Sequence, residues 1–164
     1  MRMRSLRNAV GSIAVVVVAV TVLAAVAGAQ GGGVDRLYIM DCGHNAATDQ
    51  SRWSPGVNVG KPIEFSDNCY LIRHGSEWLL WDTDYPDSVA AGSVTTPVGT
   101  ATRAKTLMAQ LARVGVKPSD IRFVAVSHTH GDHVGNVDLF PESTLLIQQA
   151  ELDWAFAPDK YLTR

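Results

Sequence analysis

The chain has 164 residues, enough for one domain with a packed core. Its 46% apolar and 18% charged residues fit a globular protein that also carries one greasy segment, and its net charge is −2. No basic run is present, which excludes the positive footprint that a nucleic-acid partner requires.

The greasy segment lies at the N-terminus. Arg2, Arg4 and Arg7 form a basic start, the stretch from Val10 to Ala27 carries no charge, and Ala27-Gly28-Ala29 has the small-x-small form that signal peptidase reads. Residues 1–29 are read as a cleaved secretory signal and 30–164 as the domain. The alternative is an uncleaved membrane anchor, since the apolar run is about long enough to span a bilayer. Either reading puts the domain outside the cytoplasm, secreted or periplasmic, with no stable membrane partner beyond the signal. Without the three arginines, the 14 Lys and Arg fall to 11 against 16 Asp and Glu, a net of −5. An oxidising compartment would permit a disulfide between Cys42 and Cys69. The blander reading, two separate buried thiols, is slightly preferred because sequence does not place their Cα atoms.

After a glycine-rich lead-in, Leu37–Met40 reads as a first strand and His44–Lys61 as a long loop, of the kind that often forms a functional lid. Cys69–Ile72 and Trp78–Trp81 read as a hairpin about a turn at His74-Gly75. Asp82–Gly99 reads as loop. Ala104, Leu107, Met108, Leu111 and Val114 follow the spacing of one helix face over 101–114, with Gly115 at the position of a helix C′ glycine. Pro118-Ser119-Asp120 makes a turn, and Ile121–Val126 a short buried strand. A short helix begins near Asp132 and ends by Pro141. Leu145–Ile147 reads as a strand and Ala150–Phe156 as a helix. The order defines a mixed α/β (α+β) domain. The chain stops at Arg164 in or just after a helical segment, with no cap there, and is read as truncated.

Three of the five histidines fall within six positions, in His128-Thr129-His130-Gly131-Asp132-His133. Neutral imidazole offers a nitrogen lone pair near physiological pH, and zinc takes His nitrogen and Asp oxygen readily. His128 and His130 are two apart on extended backbone, so their side chains point the same way and can hold one metal. Asp132 and His133 sit on a turning backbone and point towards a second. The alternative, histidines that merely cap the next helix, needs one such residue rather than four. Ser127 lacks the flanking glycines of a nucleophile elbow and reads as strand-end structure.

This His-x-His-x-Asp-His run after a short apolar strand resembles the metallo-β-lactamase superfamily. The likeness extends over Asn68–Ile72, Trp78–Thr83, Leu111–Gly115, Pro118–Ser127 and Leu145–Phe156. The opening Leu37-Tyr38-Ile39-Met40-Asp41-Cys42-Gly43 looks most like the N-acyl-homoserine lactonases. The resemblance implies an αββα sandwich, here its first half with the C-terminal half missing. It implies two Zn2+ ions per complete domain, His128 and His130 on the first and Asp132 and His133 on the second. Asp82 would support the metal site from behind its ligands; an ordinary strand-ending turn residue is the alternative. The family's Asp-Thr-Gly stands here as Asp82-Thr83-Asp84, which puts the local turn in doubt because aspartate tolerates positive φ less well than glycine.

The implied chemistry is zinc-dependent hydrolysis of a small-molecule lactone, with Asp132 as the catalytic residue that orients the attacking hydroxide or carries the proton. A β-lactamase or a thiolester hydrolase on the same scaffold is the alternative, since fold and motif are shared among them. A third reading is an inactive truncated fragment, because four ligands divided between two metals leave each site half built. His44 and His74 read as loop or turn residues.

Overall fold

The computed structural model describes residues 33–157, all within the compact unit Gly31–Arg164. The expected signal segment lies outside the described residues. Seven strands form one mixed sheet: β1 (Arg36–Ala47), β2 (Ile63–His74), β3 (Glu77–Trp81), β4 (Ser93–Thr96), β5 (Gly99–Thr102), β6 (Ile121–Ala125) and β7 (Thr144–Leu146). Their order across the sheet is β4-β5-β1-β2-β3-β6-β7. β3, β6 and β7 run parallel to one another and the remaining neighbours are antiparallel. Among the described residues there are three short α-helices, α1 (Leu107–Arg113), α2 (Gly131–Val134) and α3 (Gln149–Ala155), besides short 3-10 turns.

Period-two alternation makes the two faces of the sheet different. Met40 and Cys42 of β1, Cys69 and Leu71 of β2, Leu80 of β3 and Val124 of β6 point to one face and join the core with Leu107 and Leu111 of α1. Thr106 caps α1, its hydroxyl accepting from Ala109 N at 3.0 Å. The helix ends as expected at Gly115, which takes φ 73°. Gly115 N donates to Ala112 O and Val116 N to Leu111 O, both at 3.1 Å, which satisfies the last carbonyls and turns Val116 into the core.

Several elements differ from expectation. β1 and β2 are 12 residues each, far longer than the apolar runs that announced them, because their polar halves pair with each other. His44 therefore lies on a strand, not in a loop. The remaining loop closes on itself: Gln50 N donates to Lys61 O, and Asp49 accepts from Ser51 N and Gly60 N, each at 2.9 Å. Residues 93–102 form the β4–β5 hairpin rather than loop and helix start. Their threonines suit a strand, and β5 gains pairing to β1 that no local pattern announces. Cys42 and Cys69 are bonded, with Cα atoms 5.7 Å apart, so the reading as separate thiols is corrected. Cys42 is the extra residue of a β-bulge, since pairing passes from Asp41–Asn68 to Gly43–Asp67. The bulge aims Cys42 at its neighbour on β2.

Candidate metal centre

The parallel strands β3, β6 and β7 all release the chain at one edge of the sheet, and that edge carries the chemistry. Asp82 follows β3, the run Ser127–His133 follows β6, and Glu151 stands in α3 after β7. The carboxyl ends of parallel strands are the usual place for a ligand site, because the strands hold the loop bases rigidly.

Asp82 is nearly buried and takes φ 61°, a conformation aspartate adopts seldom. Its backbone N–H still extends the sheet, donating to Ala125 O at 2.8 Å. The turn aims its carboxylate across at the histidine loop. Oδ1 accepts from Ser127 N at 2.7 Å, and Oδ2 accepts from Ser127 Oγ and from His133 Nδ1, both at 2.9 Å. Burial pushes the Asp82 carboxyl up, but the bonds from His133 and Ser127 outweigh it and hold it below the ordinary carboxylate value. His133 shows the reciprocal balance. Burial lowers it, while the Asp82 bond and the charges of Asp132, Asp82 and Asp67 raise it above 6.5. Donation from Nδ1 leaves His133 Nε2 with its lone pair free, 3.7 Å from Asp132 Oδ2.

His128 and His130 face each other as their two-residue spacing requires. His128 Nε2 and His130 Nδ1 are 3.0 Å apart. Two nitrogens on one tetrahedral zinc, at bonds of about 2.05 Å, stand about 3.3 Å apart, so this pair fits one ion with little movement. Burial, then the charges of His133 and His130, hold His128 below its ordinary value, which favours the neutral, ligating form. The His128 and His133 ring centres are 4.0 Å apart, so all four expected ligands are gathered in one place. They gather as two pairs. Among the described residues no three His, Cys, Asp or Glu side chains converge as a closed metal cage.

The neighbouring loop grips this motif. Thr83 N donates to His133 O and Gly135 N to Asp84 O, both at 2.8 Å. A Cβ on Gly135 would lie 2.3 Å from Pro86 N, so only glycine permits this approach. Asn136 Nδ2 bonds Thr83 O at 2.7 Å and Tyr85 O at 2.6 Å. Asp84, which replaces the expected glycine, does take the glycine-like conformation, at φ 69°. Its buried carboxylate pairs with buried Arg103, which also donates to Tyr85 O at 2.7 Å and Asp87 Oδ1 at 3.1 Å. Glu151 accepts from Thr129 N and Oγ1 at 2.8 and 2.7 Å, pinning the loop between the two histidines.

A pocket of about 940 Å³ opens on His128, His130, Asp132 and His133. Trp53, Phe65 and Val98 form an apolar wall, and Asn45, Asp67 and Tyr85 a polar one. Trp53 from the self-closing loop packs on Phe65, ring centres 4.7 Å apart. Burial, with Asp132 nearby, raises the Asp67 carboxyl to about 6. Sequence reading missed Asp67, Tyr85, Arg103, Asn136 and Glu151, because each is an ordinary polar residue until long-range pairing brings it to the histidines.

Residues 63–158, more than half of the chain, match the metallo-beta-lactamase superfamily. The N-acyl homoserine lactonase AttM of Azorhizobium caulinodans is 40% identical over 137 residues, covering 76% of this chain and 49% of that protein. AttM of Rhizobium johnstonii is 30% identical over 139 residues, with shares of 76% and 49%. The chain spans about half the length of these curated relatives. A solved N-acyl homoserine lactone hydrolase, with N-hexanoyl-L-homoserine bound at its catalytic metal centre, superposes with a TM-score of 0.66 at 26% identity over 77% of this chain and 54% of its own. Parallel strands feeding a His-x-His-x-Asp-His loop, backed by a buried aspartate, agree with these matches, and the chain belongs to the metallo-beta-lactamase superfamily.

Proposed function

We propose that the protein is a zinc-dependent hydrolase that opens the ring of N-acyl homoserine lactones, with two zinc ions in the complete domain. His128 and His130 would hold one ion, and Asp132 and His133 the other. Zinc, when bound, supplies Lewis acidity and brings water to a pKa near neutrality, a nucleophile at pH 7. Asp82 keeps the proton on His133 Nδ1 and so keeps Nε2 available. Asp132 stands at the pocket wall as the acceptor for the proton of the attacking water. The wall of Trp53, Phe65 and Val98 offers an apolar surface that suits an acyl chain.

The observation that carries this reading is a pocket in which the histidine loop and the apolar wall meet. The lactonase names of the relatives support the ring chemistry. The disulfide supports an oxidising compartment, and with it secretion or a periplasmic location. The test is a panel of N-hexanoyl homoserine lactone, a β-lactam and a thiolester offered to zinc-loaded protein from its native source. Lactone hydrolysis at least a hundredfold above the others is expected, whereas preference for the β-lactam or the thiolester would replace the substrate assignment. His130→Ala should abolish turnover and lower zinc content; unchanged turnover would sink the ligand assignment.

A further inference from the structure

The polar wall of the pocket is built by the β1 bulge. Gly43 stands opposite Asp67 with φ 146°, and a Cβ there would lie 3.3 Å from Asp67 Oδ2 and 3.4 Å from Tyr85 Cδ2. The lack of a side chain at Gly43 lets Asp67 and Tyr85 draw together over it. Tyr85 donates its hydroxyl to Asn45 Oδ1 at 2.7 Å, and Asn45 Nδ2 donates to Asp67 Oδ2 at 2.5 Å. One oxygen of Asp67 is thereby fixed. Among the described residues no donor reaches the other, Oδ1, and the side chain borders the pocket within electrostatic reach of Asp132 and His133.

An ionised carboxylate has about four acceptor sites. The unbonded oxygen borders the pocket, where solvent can reach it. A substrate that displaces solvent there weakens its own binding unless it brings a donor of its own. An N-acyl homoserine lactone has one N–H, the amide beside the ring. We infer that Asp67 Oδ1 accepts this amide N–H, so that Asp67 selects lactones bearing an acylated amine over lactones that lack the donor. The inference rests on the lactonase reading above. The rival role, a further ligand to the second metal beside Asp132 and His133, is told apart by the zinc content of the variants below.

The experiment compares N-hexanoyl homoserine lactone with its N-methyl amide analogue, which keeps ring and chain but has no N–H. It uses zinc-loaded wild-type protein from its native source and the Asp67→Val and Asp67→Asn variants of that same protein, with zinc content and circular dichroism measured for each. Wild type should favour the N–H substrate by about 10- to 100-fold in kcat/KM, the range of one hydrogen bond to a charged acceptor. In Asp67→Val that preference should collapse towards one. In Asp67→Asn, which keeps the shape and a neutral acceptor, it should shrink, and this variant decides if Asp67→Val does not fold. An undiminished preference overturns the inference, as does an equal loss on both substrates. Loss of a zinc equivalent overturns it in favour of metal ligation. If wild type hydrolyses neither lactone, the lactonase reading itself falls, which is a different result.

Discussion

His133 has two ring nitrogens in different surroundings, and Asp82 decides which of them is free. Asp82→Asn keeps the shape but removes the acceptor charge. Losing a hydrogen-bonded partner of this kind typically costs 10- to 100-fold in metal affinity or activity, and a zinc titration of the variant should read a loss of about that size. The pair also sets a pH window in the metal-free chain. The Asp82 carboxyl lies below its ordinary 3.8, so it contributes stability above that pH, lost as pH falls through its folded value. His133 lies above its ordinary 6.5, so it contributes stability below that pH, lost as pH rises through its folded value. Between about pH 4 and 6.5 both contributions are present. The Tm difference between wild type and Asp82→Asn in chelator should peak there, and a difference flat across pH would refute the coupling. Arg103→Met tests the grip on the loop. Burial already raises the Asp84 carboxyl to about 7 against the pull of Arg103, so without the cation it stays protonated to higher pH, and the variant should lose stability in urea denaturation by an amount that grows as pH rises. Asp82 was legible only through the resemblance, as the first residue of the segment that stands for the family's Asp-Thr-Gly. Arg103 was not, because nothing local marks a partner 19 residues away.

At the scale of elements, the bulge between β1 and β2 and its disulfide act as one unit. The bond closes a loop across a sequence separation of 27, which in the chain-entropy view stabilises by about 3.5 kcal/mol. The double variant Cys42→Ala, Cys69→Ala should lose about that amount in denaturant unfolding, and reduction of the wild type should lower Tm in the same direction. Helix α1 was legible from Leu107 and Leu111, four residues apart and both fully buried, and from Gly115 at its end. Its start was misplaced by six residues because Ala101 and Ala104 continue the apolar spacing while β5 takes the backbone away. Strand pairing outweighs helix propensity when hydrogen-bond partners wait on both sides, as β1 and β4 do for β5.

For the molecule as a whole, the sheet has one covered face and one that remains apolar in the open. Leu37 is 54% exposed, Ile39 66%, Trp81 42% and Leu146 42%, on the side away from α1. Exposed apolar side chains on one sheet face favour association in water. The 164-residue chain by itself should bind an apolar dye and self-associate with rising concentration in sedimentation. Ile39→Lys with Trp81→Lys should reduce both signals, and a dye-silent monomer would show that the face is covered in solution.

The histidine run is a local device. Its spacing sets the direction of each side chain, so the sequence alone determined that His128 faces His130 and Asp132 neighbours His133, and the buried strand that presents them. It likewise determined the hairpin about Gly75 and the end of α1, where neighbours in the chain are neighbours in space. The tertiary structure alone decided the bonding of the cysteines, the hidden strands β4 and β5, and the meeting of Asp67, Tyr85, Arg103 and Glu151 about the pocket. Those contacts close over separations of tens of residues, and their free energy lies in pairing and burial that no short window of sequence contains.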